Sequence, residues 1–250
     1  MPALQPVAVQ AEHVTKRFRH ATAVDDLSFS VPTASAFGLL GRNGAGKSST
    51  IKMLTTLSPL SAGRATVAGY DVTTQPFDVR RHIGYVPQLQ SSDVDLTGYE
   101  NLLVFSKLYR ISRDTRRTRI AEVLELMGLQ RFAHVLVRHY SGGMVRRLEI
   151  GQATLHHPEI LFLDEPTVGL DPVARRAVWR RIKELRTLLG TTIFLTSHYM
   201  DEVSELCDEV AFLHDGRLVG QGTPAALCAS VGPQATLDDV FVRLTTSRAR

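Results

Sequence analysis

Cysteine is scarce in this sequence. Its two cysteines, Cys207 and Cys228, form neither a C-x-x-C pair nor a Cys/His spacing typical of zinc ligands, so a zinc site is unsupported. So few cysteines fit a reducing compartment, and both are expected to be small hydrophobic core residues.

A long apolar run is also lacking. No stretch approaches the roughly 18 apolar residues that a membrane-spanning helix needs. The N-terminal residues carry neither a basic region nor an apolar core, so no signal peptide is expected. If the protein serves a membrane process, we expect another chain to supply the pore.

Strong charge of either sign is absent. The formal net charge is +4, which suits polyphosphate, nucleic acid or an anionic membrane surface and does not discriminate among them. The 250 residues, 44% of them hydrophobic, suffice for one large α/β domain or two small ones.

What the sequence does contain is a glycine-rich loop between a predicted strand, Phe37–Leu40, and a predicted helix, Ser49–Leu57. The loop has the phosphate-binding pattern G-x-x-x-x-G-K-[ST], which kinases and GTPases share. Its glycines permit positive φ and close approach to phosphate, and the helix start favours an anion. The residues expected to contact nucleotide are Gly41, Arg42, Asn43, Gly44, Ala45, Gly46, Lys47, Ser48 and Ser49.

Two acids end a second apolar run, Ile160–Leu163, which predicts a buried parallel strand. Ligands bind at the carboxyl ends of such strands, and carboxylates there are costly unless they meet a cation. We expect Asp164 to bind Mg²⁺ with help from the Ser48 hydroxyl, Glu165 to act as general base, and Lys47 to reach the β and γ phosphates.

A second anion site is indicated by Ser141, Gly142 and Gly143. Ser141 is a good N-cap for the predicted helix Val145–Leu155. Glycines in a first turn weaken a helix but let a phosphate approach bare backbone. An ordinary capped helix is the alternative.

Three positions are ambiguous when taken singly. Phe18 is either a packing residue or a stacking platform for an adenine ring. Gln88 is either an ordinary loop residue or a residue whose amide oxygen binds Mg²⁺ or the attacking water. His198, which follows the predicted strand Thr192–Leu195, is either structural or a partner of the γ phosphate and that water.

The remaining patterns predict the surrounding elements. Val7–Phe18 and Leu27–Val31 predict strands, and residues 96–130 predict amphipathic helices inserted into an α/β core. The arginines from Arg113 to Arg119 are typical of a solvated helix face. A further helix is predicted from the cap Asp171 to the stop Gly190. Its buried stripe is expected to contain Val178, Ile182, Leu185 and Leu189.

Together, over nearly the whole chain, these pieces closely resemble the nucleotide-binding subunit of an ABC transporter. The resemblance implies an α/β P-loop NTPase core of mainly parallel sheet, an N-terminal antiparallel β subdomain and a helical insertion at about residues 95–155. It implies an ATPase domain over residues 1–230, a short C-terminal extension over 231–250, and ATP and Mg²⁺ as ligands.

The resemblance also assigns the motifs. Gly41–Ser48 looks like the Walker A loop and Ile160–Glu165 like Walker B, while Ser141–Gly143 matches the signature, the most specific element. The single positions it implies are Phe18 (adenine stacking), Gln88 (Q-loop), Asp171 (D-loop) and His198 (switch histidine).

Some residues depart from the family pattern. Tyr140 and Met144 flank the signature, where the family usually has leucine and glutamine, and Arg42 replaces a proline. The segment Thr33–Ala36 lacks the usual Gly-Glu. Tyr140–Met144, Pro166–Pro172 and Ala235–Phe241 are similar to the daunorubicin-resistance type of ABC ATPase, which implies export of a drug, antibiotic or lipid.

The family's answer to two anion sites is a head-to-tail pair in which ATP lies between Walker A of one subunit and the signature of the other. The resemblance therefore implies a homodimer or heterodimer and a separate membrane-spanning permease docked near Gln88–Asn101. It also implies a location at the cytoplasmic face of the membrane and no nucleic-acid partner. The alternative, a DNA-repair or chromosome-maintenance head, would need a long coiled coil before the signature, where only about a hundred residues without sustained heptads intervene.

Overall fold

The computed structural model describes residues 6–246, which form ten strands and nine α-helices. Residues 1–5 and the last four residues of the predicted extension lie outside that range. The strands are β1 (Val7–Phe18), β2 (Ala21–Pro32), β3 (Ala36–Leu40), β4 (Ala62–Val67), β5 (Tyr70–Asp71), β6 (Ile83–Val86), β7 (Ile160–Asp164), β8 (Thr192–Ser197), β9 (Glu209–His214) and β10 (Arg217–Gly222). The helices are α1 (Lys47–Leu54), α2 (Pro76–His82), α3 (Gly98–Leu108), α4 (Arg113–Leu126), α5 (Gly142–Thr154), α6 (Pro172–Leu189), α7 (Met200–Leu206), α8 (Pro224–Val231) and α9 (Leu237–Thr246).

A mostly parallel sheet organises the described chain. Its six strands run in the order β10-β9-β3-β8-β7-β6, and only the β9–β10 pair is antiparallel. Every residue of β3, β7 and β8 is buried, which explains the run of apolar residues at the centre of each strand. Because these strands are parallel, the segments that follow their carboxyl ends meet at one edge, and this edge carries the site.

A second sheet, antiparallel and of order β2-β1-β4-β5 within residues 6–246, packs on one face of the first. Aromatic rings join the two sheets. Phe29 of β2 stacks on Phe37 of β3 with 5.3 Å between ring centroids, and Phe194 of β8 lies 5.4 Å from Phe37. The opposite face of the parallel sheet packs against α3–α6. The predicted fold class, including the antiparallel subdomain and the helical insertion, is thereby confirmed.

Several helix ends differ from the sequence prediction. Helix α1 ends at Leu54 rather than Leu57, because Thr56 adopts a positive φ of 62° that stops the helix. In α6, Val178, Ile182 and Leu185 are buried as predicted. Leu189, however, is 40% exposed at the last residue of the helix, where the chain turns at left-handed Gly190.

Two predictions about polar and small side chains are corrected in part. Arg119 does not lie on a solvated face: it is buried, and its guanidinium donates to the carbonyls of Thr154 and Leu155 at the end of α5. Cys207 is buried, and burial raises the pKa of its thiol, whereas Cys228 is only half-buried.

Among residues 6–246, no helix has the length and apolarity required to cross a bilayer.

Candidate functional site

The glycine-rich loop connects β3 to the start of α1 in a form that only glycine permits at two positions. A Cβ on Gly41 would lie 2.4 Å from the Leu213 carbonyl oxygen. Gly46 has φ of 107°, and a Cβ there would lie 2.3 Å from the Ala23 carbonyl oxygen. The tight curvature brings successive backbone N–H groups to the positive end of α1, where an anion is favoured.

Lys47, the first residue of α1, is buried with its ammonium inside the loop. Its Nζ donates to the carbonyl oxygens of Gly41 at 2.7 Å and Arg42 at 3.3 Å. It also lies 3.1 Å from Oε1 of Glu165, forming a buried ion pair. A buried cation between the loop and a carboxylate is a point charge of the kind that could bind a phosphate group.

Glu165 is the residue on which the predicted catalytic groups converge. Its Oε2 lies 3.0 Å from Nδ1 of His198 and accepts from Nε2 of Gln88 at 3.5 Å. Its backbone has φ of 47°, unusual for a residue with a side chain, and its N–H donates to Thr196 at 3.1 Å. The structure thus brings Lys47, Gln88 and His198 around one carboxylate.

The Asp164 carboxylate lies between two hydroxyl groups. Its Oδ1 accepts from the hydroxyls of Ser48 at 3.2 Å and Thr196 at 2.6 Å, and the residue is almost fully buried. Residues 6–246 contain no group of three or more His, Cys, Asp or Glu side chains placed to hold a metal. One carboxylate, a hydroxyl and a nearby amide nevertheless fit Mg²⁺, which typically takes one or two carboxylates and completes its shell with phosphate and water.

A cavity of about 260 Å³ lies over these groups. Gln88 and Glu165 form one side of it, and Ala23 another. The loop provides the remaining lining residues, which are Asn43, Gly44, Ala45, Gly46, Lys47, Ser48 and Ser49. Of the predicted loop contacts, Gly41 and Arg42 are therefore outside this cavity, although Arg42 lines a neighbouring one with His198.

Phe18 is not a core residue. It lies at the end of the β1–β2 hairpin, paired with Ala21, and its side chain is 55% exposed. The Lys16 ammonium lies 5.1 Å from the centroid of its ring. An exposed ring with a cation beside it contradicts the packing alternative and leaves the ring accessible to a planar ligand.

Residues Ser141–Gly143 form the start of α5, where a side chain caps the helix and part of the first turn is exposed to solvent. Ser141 is the N-cap, and its Oγ accepts from the Met144 N–H at 3.3 Å. Ser141 and Gly142 are exposed, whereas Gly143 is buried, and a Cβ there would lie 2.8 Å from Cβ of Ala174 in α6. Gly142 lines a neighbouring cavity of about 140 Å³, which shares Gln88 and Glu165 with the cavity over the phosphate loop but is lined by none of the loop residues.

Asp171 caps α6, with Oδ1 accepting from the N–H groups of Val173 and Ala174 at 2.9 Å. The segments around it are held by Glu202, which the sequence analysis missed. The fully buried Glu202 carboxylate accepts from Ser197 and Thr167 at 2.7 Å, and burial raises its pKa while these bonds oppose the rise. Glu202 thus links the segment before Asp171 to the residue before His198.

Two further residues of the site were missed. Thr196 bonds both Asp164 and Glu165, and the sequence signal for it is a hydroxyl at the carboxyl end of an apolar strand. Arg146 is buried behind the site, and a charged residue in a helix next to glycines offers no sequence signal of burial. Burial raises the pKa of Tyr85 to about 12, with the Asp164 carboxylate adding to the shift, so that this phenol stays neutral.

Comparison with known proteins narrows the class of protein to which this chain can belong. The strand–loop–helix unit and the acids ending β7 define a P-loop nucleotide-binding protein. Residues 24–168 match the family model described as ABC transporter. The linearmycin resistance ATP-binding protein LnrL of Bacillus subtilis (strain 168) is 41% identical over 239 residues, which cover 96% of this chain and 75% of the relative.

Two other similarities agree. The daunorubicin/doxorubicin resistance ATP-binding protein DrrA of Streptomyces peucetius is 43% identical over 225 residues, 90% of this chain and 68% of the relative. A solved structure described as the ATP binding subunit of an ABC transporter superposes with a TM-score of 0.83 at 30% identity, covering 95% of this chain and 99% of that one. The chain belongs to the ABC transporter family, as an ATP-binding ATPase component.

Proposed function

We propose that this chain is the subunit that hydrolyses ATP to energise export of a drug, antibiotic or lipid-like compound through a separate membrane-spanning permease. The observation that carries the proposal is the contact of one carboxylate, that of Glu165, with Lys47, His198 and Gln88 beside the phosphate loop. A base, a cation and two orienting groups are what hydrolysis of a triphosphate requires. Export is supported by the resistance proteins among the relatives.

In this proposal the described side chains have distinct roles. Lys47 and the loop N–H groups hold the phosphates, and Glu165 takes the proton of the attacking water, which Gln88 and His198 orient. Ser48, Asp164 and Gln88 would hold Mg²⁺, which when bound neutralises charge on the β and γ phosphates. The exposed end of α5 would contribute Ser141, Gly142 and Gly143 to the phosphates of a nucleotide held by a partner copy, next to Asp171. The pair is either a homodimer or a heterodimer.

Export is tested by co-purification from detergent-solubilised membranes. Leu89, 80% exposed, follows Gln88 in the segment proposed to dock the permease. A cysteine at Leu89 is expected to crosslink to a membrane protein, and candidate compounds should stimulate ATPase activity of the complex. The matched control is a cysteine at Leu188 in α6, which is 69% exposed and should give no such crosslink. A chain that purifies with no membrane protein would contradict peripheral attachment at the cytoplasmic face and transport itself.

Adenine stacking is tested with Phe18→Ala. We expect the Kd for ATP to rise about 5- to 150-fold, because stacking of a base on an aromatic ring contributes about 1–3 kcal/mol. Both kcat and the melting temperature should stay unchanged, since the ring is exposed. Phe77→Ala is the control, because Phe77 is 76% exposed and also has a cation, Arg80, over its ring. Equal ATP affinity in the two variants would refute the stacking role.

A further inference from the structure

The buried guanidinium of Arg146 joins parts of the site that lie far apart in the sequence. Arg146 is in the second turn of α5 and only 6% exposed. It donates hydrogen bonds to four backbone carbonyls, those of Pro87 (2.7 Å), Asp164 (2.9 Å), Glu165 (3.2 Å) and Pro166 (2.8 Å). The bonds therefore reach the residue before Gln88 and the whole turn that carries the two site carboxylates.

Glu149, on the same face of α5, extends this connection. Its Oε2 pairs with Arg146 at 3.2 Å, and both side chains are buried. Its Oε1 accepts from the N–H of Ser91 at 2.6 Å. Gln88 is consequently held on both sides by α5, through Pro87 before it and Ser91 after it.

The bond from Arg146 to the Glu165 carbonyl acts on a strained residue. A left-handed conformation at a residue with a side chain costs energy and persists only where the surroundings impose it. Thr196 accepts the Glu165 N–H, and Arg146 binds the carbonyl oxygen. With both neighbouring peptide groups fixed, the carboxylate is aimed at Lys47 and His198.

We propose that Arg146 is a positioning residue that couples the position of α5 to Glu165 and Gln88 of the same chain. The hydrogen bonds of Arg146 reach the main chain at Pro87 and at residues 164–166 rather than the phosphate loop, so it acts through the main chain it holds. Because Ser141 begins the same helix, a tilt of α5 on binding a phosphate is transmitted to Glu165. The inference rests on the proposed function, since it takes Glu165 as the general base.

The test is Arg146→Lys, which keeps the charge beside Glu149 but cannot bond four carbonyls. We expect kcat for ATP to fall about 10- to 100-fold, because small displacements of a catalytic group have effects of this size. The Kd for ATP should be unchanged, since Lys47 and the loop are untouched. Arg119→Lys is the matched control: Arg119 is also buried and binds two carbonyls at the other end of α5. It should lower the melting temperature comparably and leave kcat at the wild-type value.

A double variant separates positioning from general destabilisation. In a Glu165→Gln background, Arg146→Lys should lower the single-turnover rate by a smaller factor than it does in the wild type, because the part of its effect that acts through Glu165 is already lost and only the part through Gln88 remains. An additive loss, or wild-type kcat in Arg146→Lys, overturns the inference while Glu165→Gln remains inactive. If Glu165→Gln itself hydrolyses ATP normally, the proposed function fails instead.

Should Arg146→Lys not fold, Glu149→Gln replaces it. A reduced kcat at unchanged Kd for ATP would support the inference, and a wild-type kcat would overturn it.

Discussion

Replacing Glu165 by glutamine is expected to abolish ATP hydrolysis while ATP binding persists. The amide has the same shape but cannot take a proton, so kcat should fall about 10²- to 10⁴-fold, the range attributed to a general base. Lys47 keeps its bonds to Gly41 and Arg42, so the loop should still bind ATP. With the triphosphate uncleaved, two copies should stay joined, which light scattering after gel filtration in ATP and Mg²⁺ would detect.

Glu184→Gln is the control for this experiment. Glu184 pairs with Arg181 at 2.6 Å on α6, and this pair includes none of the site residues described above. Its amide variant should hydrolyse ATP at the wild-type rate and dimerise no more than the wild type does. A Glu165→Gln chain that remains monomeric at saturating ATP would contradict the shared-nucleotide arrangement, and one that turns over normally would remove Glu165 from its role as base.

The confirmed fold and the elements around the site were predictable because their signals are local. The strands β3, β7 and β8 each contain a short apolar run, and each run is followed by a distinctive signal: the glycine-rich loop after β3, two acids after the apolar residues of β7, and a histidine after β8. Because these strands are parallel, their carboxyl ends lie at the same edge of the sheet regardless of how the loops fold. The glycine positions could be predicted as well, because the phosphate-binding pattern specifies them. In the structure, Gly41 and Gly46 lie so close to the carbonyl oxygens of Leu213 and Ala23 that a side chain would not fit.

What escaped prediction was the buried charge. Arg119, Arg146 and Glu202 lie in helices whose composition is typical of exposed surfaces, and their burial depends on carbonyls and hydroxyls that are distant in sequence. Helix α2 was missed for a related reason. Of its residues only Val79 is buried, so the segment has no apolar period to detect, although Pro76 at its first position is a typical start signal.

Replacing Lys47 by alanine should remove most nucleotide binding. The ammonium is positioned to bond the phosphates, and a hydrogen bond to a charged group contributes about 1.5–3 kcal/mol, which corresponds to roughly 10- to 150-fold in the Kd for ATP. The variant should also melt at a lower temperature, because Glu165 loses its cation. The free energy of unfolding should fall by less than the roughly 3–5 kcal/mol that breaking a buried ion pair costs, because His198 still contacts the Glu165 carboxylate. Lys52→Ala, an exposed lysine on the same helix, is the control and should bind ATP normally.

Mixing shows whether a Lys47→Ala chain still offers the other half of a site. Ser141→Arg blocks the exposed end of α5 but leaves the phosphate loop intact, so each variant alone should be inactive. In a mixed head-to-tail pair, the loop of the Ser141→Arg copy faces the unaltered α5 of the Lys47→Ala copy, which restores one site. If random pairing makes half of the dimers mixed, activity should recover to about a quarter of the wild-type value. If mixing recovers no activity although mixed dimers form, the contribution of Ser141 to a nucleotide held by a partner is contradicted.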